Sequence, residues 1–148
     1  MDKWHWFLWL SQQAVSGMQA LWPVSAVLIG AVVVSIGIGV RRGCGWPPPF
    51  RPAWQLAFTL NPPAILAVGA VWACENCSPS SLGYGVRHVW AVHAVDALFF
   101  TQLLAAGWWA WRAASTYRLW VASVHALLLW ATWFAATVAE MSVSGDWL

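Results

Sequence analysis

The chain has 148 residues, of which 61% are hydrophobic and only 8% charged, about a third of the charge an ordinary soluble domain carries. So few polar side chains cannot cover the surface of a soluble fold, and so apolar a chain does not stay disordered. A net charge of +2 is too weak to hold a nucleic acid, which leaves lipid as the solvent this composition fits.

The first 21 residues open with WHWFLWL at 4–10 and continue as SQQAVSGMQ. This is too short and too rich in tryptophan for a secretory signal, and no A-x-A cleavage pattern follows it, so the segment is expected to be retained. It reads as an interfacial helix over 1–21 that lies at the outer membrane surface and runs into the first span at Pro23. Its rival is a fifth membrane segment, in which the amides of Gln12, Gln13 and Gln19 would each need a partner.

A helix needs roughly 20 apolar residues to cross a hydrocarbon core of about 30 Å. Such windows occur at about 22–40, 53–73, 88–111 and 119–141. Backbone amides in lipid must be bonded within their own segment, so the expected fold is all-α. It is a polytopic membrane protein with four transmembrane helices in one bundle, a single domain over 1–148. Trp22, Trp54, Trp72, Trp90, Trp108, Trp109, Trp111 and Trp120 fall at the edges of these windows, where an aromatic belt belongs.

Small residues should let the helices approach closely: Ala26-xxx-Gly30 and Ser35-xxx-Gly39 on the first span, and Ala131-xxx-Ala135-xxx-Ala139 on the fourth. The first connector, RRGCGWPPPFR, cannot be helical through its three prolines. Within the second span Asn61-Pro62-Pro63 removes two amide donors and predicts a kink. Arg41, Arg42, Arg51, Arg112 and Arg118 fall on one side of the membrane and Lys3 and Arg87 on the other. The positive-inside rule then places both termini outside the cytoplasm, in a membrane of the bacterial inner type.

Polar groups inside spans are candidates for function by default. Here they are Asn61 on the second window, His93 and Asp96 three residues apart on one face of the third, and His125 and Glu140 on the fourth, with Arg87 at the outer edge of the third. In one seam they would make a proton or ion path; the alternative is that each bonds a neighbouring helix. His93 and His125 lie at different depths, so one haem held by both is not expected. A haem or pigment on a single histidine, lined by Trp130 and Trp133, stays open. Outside the membrane, Cys74-Glu75-Asn76-Cys77 can close a disulfide, and Cys44 lies on the opposite side. A C-x-x-C in a four-helix membrane protein resembles the quinone-coupled thiol oxidoreductases of the disulfide-bond oxidase B type. That family uses a second cysteine pair on the same side, and this chain has none.

No phosphate-binding loop, HExxH motif, nucleophile elbow or metal-ligand set occurs in the sequence, so no enzyme class is indicated. The first expectation is an accessory or structural subunit of a larger membrane complex, energy-transducing complexes included, with lipid and other membrane subunits as partners. The second is a small homo-oligomeric transporter or proton-conducting protein using His93, Asp96 and His125. The third is a haem- or pigment-binding or thiol-redox membrane protein.

Overall fold

The computed structural model describes residues 2–42, 52–73 and 89–144. They form five helices and, among the described residues, no strand: α1 Lys3–Ala20, α2 Trp22–Arg41, α3 Pro52–Val71, α4 Val89–Arg112 and α5 Ser115–Ser144. Three helical stretches are long and apolar enough to cross a membrane: Trp22–Arg41, Val89–Arg112 and Tyr117–Ser144. The window expected at 53–73 is occupied by α3, whose apolar stretch Ala57–Val71 is shorter.

α5, at 30 residues, is roughly 45 Å long and touches all four other helices. Paired contacts fix the directions. Phe58 meets His125 and Gly69 meets Ala139, so α3 runs parallel to α5. Gln102 bonds Thr132, and Asp96 faces Glu140, so α4 runs antiparallel. On the remaining side Gly17 faces Phe134, Ser25 faces Trp130 and Ser35 faces Ser123. α1 and α2 therefore follow one another along α5 in the antiparallel sense, sharing one column of the bundle. Placed end to end, their 18 and 20 residues extend roughly 57 Å, nearly twice a hydrocarbon core.

The junction between them is local chemistry. Leu21 leaves helical geometry at φ −101° and ψ 39°, and Pro23 starts α2 where no amide donor is needed. The Leu21 N–H still reaches the Gly17 carbonyl at 3.2 Å, and the Ser25 hydroxyl donates across the break to the Met18 carbonyl at 2.9 Å. With these groups bonded, the break leaves few exposed ends for lipid or water to satisfy.

The N-terminal segment is a helix that packs into the bundle. Leu10 is fully buried and Ala14 nearly so, in a core with Ile65, Leu66 and Ala70 of α3, Val95 of α4 and Ala135, Ala136, Val138 and Ala139 of α5. Gln12, Gln13 and Gln19 stay on its exposed face. The small-residue stripes divide. On α5, Ala135 and Ala139 are buried, and a Cβ at Gly69 would come within 2.8 Å of the Ala139 backbone, so α3 and α5 touch at a point only glycine allows. On α2, Ser35 packs inward, but Gly30 and Gly39 have no neighbour within 4 Å of a would-be Cβ. Ala26 and Gly30 lie on the exposed side, so the close packing expected of this stripe is not made within the chain.

Candidate functional site

The polar side chains of α3, α4 and α5 stand at three levels. The middle level is a buried knot. α3 continues as helix through Pro62 and Pro63, and Asn61 just before them turns its amide to α4, where Nδ2 donates to the Leu98 carbonyl at 3.2 Å and to Gln102 Oε1. The Thr132 hydroxyl of α5 lies 3.0 Å from the same Gln102 oxygen and 2.7 Å from the Leu128 carbonyl, and its single hydrogen is shared between them. Three helices thus meet at the Gln102 carboxamide, which is only 4% exposed. Gln102 escaped the reading of the sequence because attention there went to ionisable groups. Its signal was plain enough: one amide in the middle of an apolar window must find partners.

A second level lies about 9 Å towards the N-terminal end of α4, six residues from Gln102. His93 and Asp96 share a helix face as their spacing requires, with Nδ1 and Oδ2 3.9 Å apart and side chains 73% and 45% exposed. Asp96 also faces Glu140 of α5 across the α4–α5 contact. Two carboxyl groups and an imidazole thus stand together at this level. Among the described residues no group of three His, Cys, Asp or Glu side chains is arranged to hold a metal ion.

The third level, on the other side of the knot, holds His125. Its Nδ1 lies 2.7 Å from the Val121 carbonyl one turn back, and its ring meets Phe58 of α3 edge-on at 4.6 Å. This is the geometry of a packed histidine with one nitrogen bonded to its own helix. Gln102 and Thr132 are level, and His93 lies nine residues beyond the first while His125 lies seven before the second. The two histidines are therefore roughly 24 Å apart along the bundle, far beyond what one haem iron spans. Trp130 and Trp133 stack at 5.3 Å, and the Trp130 indole N–H donates to Ser25 of α2 at 3.1 Å. That indole joins two helices.

The structure thus brings Asn61 together with Gln102 and Thr132, and His93 with Asp96 and Glu140, and sets His125 apart from both groups. Cys44, Cys74, Cys77 and Arg87 lie outside the described residues, so the expected disulfide and the Arg87 partner for Glu140 do too. No family model, no curated protein and no solved structure matches the chain.

Proposed function

We propose that the chain is an integral membrane protein with four spans and both termini outside the cytoplasm, in a bacterial inner membrane, and that it serves as an accessory or structural subunit of a larger membrane assembly. The observation that carries this is where the polar side chains of the apolar helices go. Asn61, Gln102 and Thr132 bond one another, Ser35 bonds Ser123 at 3.0 Å, Trp130 bonds Ser25, and Ser142 donates to the Gly69 carbonyl at 3.1 Å. Groups used to hold helix to helix are the adhesive of a bundle in lipid, where apolar surface gives no drive to associate. α2 supports the same reading. Only 6% of its apolar window is buried within the chain, and its outward side carries Ala26, Gly30 and Gly37.

The deciding experiment is mild detergent extraction from the native membrane, followed by native mass spectrometry and a visible absorption spectrum of the same sample. Co-purification with other membrane proteins at fixed stoichiometry is the expected result. A colourless protein that leaves the membrane alone, at every detergent strength tried, would overturn the subunit reading.

A second reading rests on the Asp96–Glu140 pair beside His93. Two carboxyl groups beside an exposed imidazole suit a proton-coupled transporter or proton-conducting homo-oligomer. Its test is pH-driven flux in vesicles reconstituted with the purified protein: this reading expects flux that Asp96→Asn abolishes, and it fails if wild-type vesicles are as tight as empty ones.

A further inference from the structure

We infer that the bundle holds a structural water molecule in the seam of α3, α4 and α5, bonded to Gln102 Nε2 and to the Phe58 carbonyl. The orientation of the Gln102 amide is fixed step by step. The Leu98 carbonyl can only accept, so the Asn61 atom 3.2 Å from it is the amide nitrogen. An amide nitrogen on Asn61 requires an acceptor on Gln102, so Oε1 faces Asn61. Turning Gln102 over would set two donors against each other, and turning both residues would set two carbonyl oxygens against each other at Leu98. Nε2 is thereby left with two hydrogens and no acceptor among the described residues, on a residue that is 4% exposed. A buried donor left in that state costs about 1–3 kcal/mol.

An acceptor is close by in the sequence. Pro62 lies in the interior of α3 and has no N–H, so it cannot supply the bond that the Phe58 carbonyl, four residues earlier, would accept in an uninterrupted helix. Asn61, adjacent to that proline, is the residue that bonds Gln102. A donor without an acceptor and a carbonyl without its helical donor thus lie within one helical turn of the Asn61–Gln102 contact. Water satisfies both at once: it accepts from Nε2 and donates to the carbonyl, and the Thr132 hydroxyl is a third group at the same place. Two to four polar partners are what a buried water requires. The Asn61-Pro62-Pro63 break is on this reading a hydrated joint.

Proton-detected solid-state NMR of the full chain in lipid bilayers tests it. Magnetisation transfer from water to the Gln102 side-chain amide is expected in the wild type. In Pro62→Ala the restored N–H takes over the Phe58 carbonyl, and the transfer to Gln102 should drop at least threefold while the Asn61–Gln102 contact persists. Because alanine favours the helix, this variant is expected to fold. Absence of transfer in the wild type, or a direct bond from Nε2 to a protein acceptor, would overturn the water. Transfer unchanged in Pro62→Ala would overturn its place on the Phe58 carbonyl.

Discussion

α2 and α5 are both apolar, both long enough to cross a bilayer, and packed against each other, but 6% of the apolar window is buried in one and 39% in the other. Hydrophobicity does not separate them. The side chains at each helical turn do. α5 presents Val121, Thr132, Ala135, Ala139 and Ser142 along one face and Ser123 on the other, small or hydrogen-bonding groups that its neighbours can approach. α2 turns Ser25 and Ser35 towards α5 and exposes Val24, Val27, Ile29, Val33, Val34 and Val40. In lipid, position in a bundle is set by how closely a helix can be approached and what it can bond, since apolar surface is equally content against lipid or protein.

The largest effect should come from the crowded column around α5. Leu10→Ala removes a fully buried side chain wedged between α3 and α5, and a loss of about 2–5 kcal/mol is expected in reversible unfolding from mixed micelles. Gly69→Ala puts a methyl 2.8 Å from the Ala139 backbone, where no rotamer change can make room. It should cost about 1–3 kcal/mol in the same assay and shift α3 relative to α5. Gln102→Leu removes the acceptor that Asn61 and Thr132 share, with an expected loss of about 1–2 kcal/mol. At the small end, Ser35→Ala deletes one interhelical hydroxyl bond, for which about 0.6 kcal/mol is typical.

Gly30→Ala sharpens the comparison from the other side. A methyl there meets nothing in the chain, so stability of the isolated protein should stay within about 0.5 kcal/mol of wild type. If α2 is covered by a partner in the native membrane, the same substitution should weaken co-purification. Equal recovery of partners with Gly30→Ala and with wild type would show that this side of α2 faces lipid.

Much of the architecture was legible beforehand because its causes are local or compositional. The scarcity of charge led to lipid, the apolar windows found the helices, and Pro23 marked the start of α2. His93 and Asp96 could be paired from spacing alone, since residues three apart share a helix face. Other features needed information that periodicity does not carry. Whether Ala26 and Gly30 face a neighbour depends on the rotation of α2 about its axis. The partnership of Asp96 with Glu140 depends on the relative height of α4 and α5, which loop sequences do not set. Gln102 was visible as a residue, but its two partners come from helices 30 and 41 positions away. The docking of α1 was hidden for a similar reason: Leu10 and Ala14 alone of its length are buried, with Trp6, Phe7 and Trp9 partly covered by the same core, too little to mark one face of a helix this rich in tryptophan.

The shared column of α1 and α2 also orders events during synthesis. α2 emerges early and can settle in the bilayer by its own hydrophobicity. α1 precedes it in the chain, yet its seats, Gly69 on α3 and Phe134 on α5, are made well after it. α1 is thus kept waiting, and its docking reports that α5 has arrived. Until residue 134 is made, Leu10 and the neighbouring tryptophans lack their seat, and their apolar surface stays uncovered.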